Sequence, residues 1–572
     1  MKEIVYRLSV EKPHRHFLDL EAEFPASGGD TTTFQLPAWR PGRYELGNFA
    51  KNIQRIAAFD QKGRPLTMRK VSKDKWEVDS AGQKKIVLRY NYFAGELNAG
   101  STWVDQNQIY VNPVNCFFYI PKVDMPYRVE LDMPKDAEIA CGLRVSKGNT
   151  IHAAGVQEVM DSPFIAAAGM THWTYDHAGV KYHIWINGRH TYVKSYVLDA
   201  FSRFTQSMVT AFGDIPCEDY HFLFQLPDQA VRHGVEHTNS TVIALGPAEF
   251  ACTKAGWEEI LGISCHELYH TWNIKSIRPK EMMPYDFATE NYSKLGYVAE
   301  GVTTYYGDLY LYRAGVFDQG QYFALLADQI KRHLHNSGRF NMSVADSSFD
   351  TWLDGYAPGI PDRKVSIYTE GCLIAFITDV AILNATAGKK SLDNVMFEMY
   401  QRFGKKAKGY TAADYQNIAE KVAGTSLSQI FDKLVNGTED FLPFIEASFK
   451  TLGLKLTLGY GNSPEHTWGL QVSPTDNTIV HHVWPDSPAD EAGFSRGDKL
   501  IGIDGISADA WWRQTVAMKS GKHHVQILRN RQIRDLRITA LKPKFYPEVS
   551  IERIDDKNLI FNIWEHTNVN II

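Results

Sequence analysis

Two histidines four residues apart, with a glutamate beside the first, form the segment His266-Glu267-Leu268-Tyr269-His270. In a helix, positions four apart project from one face, so both imidazoles can reach a single metal ion with Glu267 close at hand. The pattern suits zinc. Zn2+ takes imidazole nitrogen readily, and a catalytic site keeps one position for a water whose pKa the ion lowers, leaving Glu267 to remove its proton. Such a five-residue pattern has roughly a 4% chance of arising somewhere in a random chain of this length and composition, in which case it would be a surface helix with two histidines. The flanks argue otherwise. Leu261, Ile263, Cys265 and Leu268 are apolar, which predicts a buried helix, and buried histidines need partners.

Two histidines leave the ion short of a third protein ligand. Glu300, in KLGYVAEGVTTYYGDLYLYRAG, is a single carboxylate among helix-compatible apolar and aromatic residues. Its burial is costly unless it is paired or bound to metal. It follows His270 by 300 − 270 = 30 positions, room for a loop and a second helix that returns against the first. Taken alone it reads equally well as a capping or surface carboxylate. Joined to the histidines it predicts one Zn2+ ion held by His266, His270 and Glu300, with Glu267 as catalytic carboxylate.

The elements that must position these residues follow from the periodicity of the chain. At 572 residues it is too long for one ordinary core, and the length favours three or four domains. Residues 1–175 are a succession of short alternating runs such as IVYRLSV, KIVLRYNYF and YRVELDM, which predicts an N-terminal β-sandwich. Within it, PAWRPGRYELGNF reads as a turn-rich structural corner with two exposed arginines. From 176 to 450 apolar residues recur at three and four positions, as in YVLDAFSRFTQSMVTAF and CLIAFITDVAILNAT. These predict a mainly helical domain with a small sheet at its front edge. Strands return over 455–545 around SPADEAGFSRGDKLIGIDG, and 546–572 reads as a polar tail. The fold class expected is multidomain α+β.

Other classes are disfavoured by composition. A formal charge of -5 with no basic face gives no electrostatic case for nucleic acid. No stretch approaches ~20 uninterrupted apolar residues, and MKEIVYRLSV lacks the basic and apolar regions of a signal peptide. A soluble, cytoplasmic protein without membrane contact is expected. The six cysteines include no CxxC pair, so reduced thiols are expected in place of a disulfide framework.

Taken in order, WRPGRY, GVEHTNS, HELYHTWNIKSIRP, VAEGVTTYYGD, SIYTEGCLIAF, NGTEDF and SPADEAGFSRGDKLIGIDG resemble the glycyl aminopeptidase family of gluzincin zinc metallopeptidases that carry a C-terminal PDZ domain. The resemblance implies a β-rich N-terminal domain, a thermolysin-like catalytic domain and a PDZ module. It supports Glu300 as third ligand and matches Tyr368 to a tyrosine that stabilises the oxyanion, a role that suits a phenol hydroxyl. His233-Gly234-Val235-Glu236-His237 is similar to the exopeptidase strand of the broader group, with His237 where many relatives have Asn. The resemblance implies that the backbone at Gly234 and Val235 pairs with the peptide while Glu236 binds its free amino terminus. It implies a preference for small residues such as glycine or alanine. Position 304 is Thr where an Asp often orients a metal-bound histidine, and the roles of His237, Asn273, Lys275 and Arg278 are open. The PDZ-like module, with a carboxylate loop near Trp468-Gly469-Leu470, is expected to capture a peptide C-terminus. The alternatives are a zinc endopeptidase whose protein substrates are recruited by that module, and an inactive PDZ adaptor.

Overall fold

The computed structural model describes residues 2–355, 359–509, 512–517 and 521–566. It is a multidomain α+β structure with a β-rich N-terminal domain. The strand Phe17–Pro25 shows why: half-buried and buried positions alternate along FLDLEAEFP, so one face is committed to a core. That strand lies in an eight-stranded sheet between Ile4–Ser9 and Lys85–Phe93. Sheets of four and three strands share the same core, where Phe24 meets Phe34 and Trp76 meets Phe118 edge to face.

The segment read as a corner, PAWRPGRYELGNF, keeps Trp39 and Tyr44 in this core and also reaches across to the next domain. The amide of Ala38 donates to Phe287 O at 2.7 Å and the Trp39 indole donates to Asp286 O at 2.6 Å. Both acceptors belong to the loop after the histidine helix. Arg40 and Tyr44 are buried, in place of the exposed arginine expected at 40.

The next domain opens with a five-stranded sheet. Its strands are β1 (Thr171–His177), β2 (Val180–Gly188), β3 (Asp219–Leu226), β4 (Val231–Glu236) and β5 (Ser240–Gly246). Their spatial order is β1-β2-β3-β5-β4. Thus β4, antiparallel to β5, is an edge. Helices cover one face, among them α1 (Lys194–Phe212), α2 (Lys254–Tyr269), α3 (Thr303–Arg313) and α4 (Ile367–Ala385). By length and composition α4 is apolar enough to cross a membrane. It is buried on nearly every side, which is the pattern of a helix at the centre of a core.

A smaller unit follows, built around Trp468, Leu500, Val525 and Ile527. It has a hairpin, Leu470–Val472 with Val480–Val483, and a four-stranded sheet. The hairpin meets the preceding domain where His482 Nε2 lies 2.5 Å from Asp362 Oδ2.

The segment expected as a polar tail is structured as far as residue 566, and 567–572 lie outside the described residues. Glu548–Arg553 pairs with Leu454–Gly459, and helix Leu559–Trp564 places Phe561 and Trp564 in the main core. The Trp564 indole donates to the Tyr305 hydroxyl at 2.8 Å. Glu548, Ser550 and Glu552 occupy the exposed positions of that strand, which is why the segment looks polar. All six cysteines are free thiols.

Candidate metal centre

Thr253 caps α2, accepting from the Gly256 amide at 3.1 Å, and the helix carries His266 in its last turn and His270 at its end. The two Nε2 atoms stand 3.0 Å apart. Glu300 Oε2 lies 3.3 Å from His270 Nε2 and 3.7 Å from His266 Nε2. The three donor atoms lie within 4.8 Å of one another. Donors so placed fit four-coordinate zinc, whose bonds of about 2.0–2.1 Å put neighbouring ligand atoms a little over 3 Å apart.

Glu300 reaches this point from a π-helical turn, Tyr297–Val302, that runs into α3. Such turns re-aim a side chain and recur at functional sites. Two glycines let this turn cross α4 closely: a Cβ on Gly301 would strike Gly371, and one on Gly371 would strike the Tyr297 carbonyl. The same crossing brings in Tyr368, in the first turn of α4, whose ring centre is 6.3 Å from that of His266.

The groups that orient these donor side chains come from places the sequence does not advertise. His270 Nδ1 lies 2.6 Å from the backbone carbonyl of Asn273. The Asn273 side chain donates to Val298 O at 2.8 Å and so ties the histidine helix to the turn bearing Glu300. Thr304, at the position where an Asp often orients a metal-bound histidine, donates to its own helix at Glu300 O. Glu300 Oε1 accepts a 2.8 Å hydrogen bond from the Tyr44 hydroxyl. Outer partners of this kind fix ligand orientation.

Strand β4 passes so close to α2 that a Cβ on Gly234 would collide with Glu267 and Ile263. Val235 and Glu236 are buried. A Cβ on Gly42 would likewise collide with the Glu236 carboxylate, so the WRPGRY segment covers that acid. Sequence reasoning missed Gly42 and Tyr44 because nothing in the spacing of a loop says where it docks. The one available signal was the density of Arg, Tyr and Trp around a Pro-Gly turn.

Three buried carboxylates, Glu236, Glu267 and Glu300, surround two histidines. Burial pushes Glu267 well above the usual carboxylate range, and Glu236 and Glu300 add to this against the pull of His270. Burial acts on Glu300 in the same sense, but His270 and His266 outweigh it and hold Glu300 below its ordinary value. Burial alone would lower His270, yet Glu300, Glu236 and Glu267 raise it to about 10. The cluster therefore has an excess of negative charge that favours a cation. Glu267 Oε2 and Glu236 Oε1 are buried without hydrogen-bond partners.

His237 and Lys275 converge elsewhere, on Asp161 of the N-terminal domain. Lys275 Nζ is 2.7 Å and His237 Nδ1 3.2 Å from Asp161 Oδ1, and Thr238 donates to Oδ2 from both its amide and its hydroxyl. Arg278 stacks on Tyr285 at 4.0 Å. His237, Thr238 and Lys275 thus tie this domain to the N-terminal one at Asp161.

An edge strand, a histidine-bearing helix and a returning glutamate, roofed by a β-rich domain, are the architecture of a peptidase. The domains name the group: residues 5–168 match the Peptidase M61 N-terminal domain and residues 259–374 match M61 glycyl aminopeptidase. The chain thus carries domains of the M61 peptidase family. Its fold is similar over nearly its whole length to that of an aminopeptidase N family protein from Idiomarina loihiensis. The TM-score is 0.88 at 23% identity, covering 98% of this chain and 99% of that one. A more distant likeness is an M1 zinc metallopeptidase from Deinococcus radiodurans, with a TM-score of 0.48 at 14% identity, covering 77% of this chain and 94% of that one. No curated protein matches the chain in sequence.

Proposed function

We propose that the protein is a zinc-dependent aminopeptidase that removes single residues from the free amino termini of peptides. The observation that carries this reading is Glu236: a buried carboxylate at the end of edge strand β4, with Oε1 unpartnered, beside the His266, His270 and Glu300 cluster. A substrate ammonium is the natural counter-ion for it, and a charge-assisted bond there sets the register of cleavage at one residue.

His266, His270 and Glu300 would hold the zinc. Bound there, zinc would supply Lewis-acid polarisation of the scissile carbonyl and a water made acidic enough to ionise near neutral pH. The chain's own groups do the rest. The backbone of Gly234 and Val235, on the open edge of the sheet, pairs with the peptide. Glu267 accepts the proton of the attacking water at Oε2 and delivers it to the leaving amine. The Tyr368 hydroxyl donates to the oxygen that becomes negative in the tetrahedral species. Small amino-terminal residues, glycine or alanine, are the expected preference from the M61 glycyl aminopeptidase match alone.

The smaller C-terminal unit is proposed to be a PDZ-like module that binds a peptide carboxylate at the turn Trp468-Gly469-Leu470. Amidating the C-terminus of a bound peptide should abolish that binding.

The deciding experiment is a panel of free and N-acetylated peptides assayed with and without chelator. Free peptides should be cut and blocked ones spared, with all activity lost to chelator and restored by zinc. Equal cleavage of blocked peptides would instead establish an endopeptidase. Glu267→Gln should retain zinc and lose roughly 100- to 10,000-fold in turnover, the usual contribution of a general base.

A further inference from the structure

A second cluster of metal-ligating side chains lies on the outer face of the five-stranded sheet, away from the peptidase cluster. His172 on β1 sits opposite Trp185 on β2, and His183 on β2 sits opposite His221 on β3. Alternate residues of a strand share a face, so Asp219, two before His221, joins them. The rings form a stack: His183 and His221 are parallel within 2° at 4.2 Å, and His172 lies on Trp185 at 3.6 Å.

We propose that His183, His221 and Asp219 form a second cation site, one that takes a divalent transition cation such as Zn2+ or Cu2+. One donor atom from each lies within 4.8 Å of the other two. Two imidazoles and a carboxylate select zinc or copper over magnesium or calcium, which prefer all-oxygen sets. The site opens on a cleft of about 840 Å³ between the sheet and the N-terminal domain, giving a hydrated ion access and water to complete its coordination. Of the four carboxylates in the cleft lining, Asp161 is already paired with Lys275, and Asp219 is the one that meets the two histidines.

The surroundings supply what a histidine ligand needs. His172 Nε2 lies 2.9 Å from His183 Nδ1. With the proton on Nδ1 donated to His172, the Nε2 lone pair of His183 is free, the outer-partner arrangement found around metal-bound histidines. One contact must yield. The Trp185 indole donates to His221 Nδ1 at 3.3 Å; a cation at Nδ1 displaces that N–H, and a cation at Nε2 sends the ring proton to Nδ1. In both cases Trp185 reports loading.

The site is independent of the peptidase reading, and the test keeps the two apart. Full-length protein carrying His266→Ala and His270→Ala, stripped and then dialysed against buffered Zn2+ or Cu2+, should retain one ion per chain. Adding His183→Ala and His221→Ala should remove it. Retention of none in the first protein, or of the ion in the second, overturns the proposal. If the quadruple variant does not fold, His183→Gln or Asp219→Asn in otherwise native protein should weaken the second binding phase at least tenfold. An unchanged phase also overturns the proposal. Cu2+ binding should quench a tryptophan signal that Trp185→Phe abolishes, and a quench that survives this substitution assigns the ion elsewhere.

Discussion

The hydroxyl of Tyr44 donates a 2.8 Å hydrogen bond to Oε1 of Glu300, across 256 positions of sequence and from one domain to another. Glu300 turns its other oxygen to His266 and His270. The N-terminal domain therefore does more than sit beside the site: it supplies a group that aims the Glu300 carboxylate.

The first prediction is that Tyr44→Phe lowers zinc affinity by about 10- to 100-fold, the usual cost of losing an outer partner of a ligand. Competition against a chelator of known affinity measures it. Unchanged affinity would mean that Asn273, Thr304 and the glycine crossing fix Glu300 without help.

That loop also marks the limit of what the sequence discloses. His266, Glu267 and His270 are legible because a helix converts a spacing of four into a shared face, and Glu300 because a lone carboxylate in an apolar helix demands a partner. The β-rich character of the first domain follows from alternation. Tyr44 and Gly42 are illegible because a loop has no period, and its docking on Asp286 and Phe287 is a matter of tertiary contact. The strand Glu548–Arg553 is hidden for a related reason. Its half-buried residues Val549 and Ile551 pack on the main core from a sheet of only two strands, so little apolar sequence is needed to form it.

The second prediction concerns Glu236. A hydrogen bond to a charged group is worth about 1.5–3 kcal/mol, so Glu236→Gln should lower kcat/KM for free peptides by roughly 10- to 100-fold. Residual activity should no longer distinguish free from acetylated peptides. Steady-state kinetics on matched pairs decides it, and retained discrimination would exclude Glu236 as the amino-terminus anchor.

The third prediction isolates the approach of β4 to α2. Gly234→Ala places a methyl group against Glu267 and Ile263, which must push the edge strand outward. Turnover should fall more than tenfold while zinc content and circular dichroism stay unchanged, because no ligand is touched. Full activity would show that the strand adapts without moving the peptide.

The fourth prediction rests on the buried pair between Lys275 and Asp161, whose side chains are 0% and 8% exposed. Lys275→Met strands the Asp161 carboxylate, and breaking a buried pair by removing one partner costs about 3–5 kcal/mol. Denaturant unfolding measures the loss. A change below about 1 kcal/mol would show that His237 and Thr238 satisfy Asp161 alone.

The fifth prediction is a pH dependence of stability, and His221 sets its sign. Burial, reinforced by the neighbouring His183 and His172, lowers its folded value to about 3, whereas an unfolded histidine titrates near ~6.5. Between these values the unfolded chain binds a proton that the folded chain refuses. The contribution of His221 to stability is thus fully present above the unfolded value and is lost as pH falls toward 3, by about 1.4 kcal/mol per pH unit. His221→Gln keeps a polar side chain in the stack and removes the titration. Urea unfolding of metal-free protein between pH 4 and pH 7 should show a slope shallower by about one proton in the variant. Equal slopes would mean that the stack opens to solvent before His221 is protonated, and that its neutral lone pairs are not guaranteed by burial.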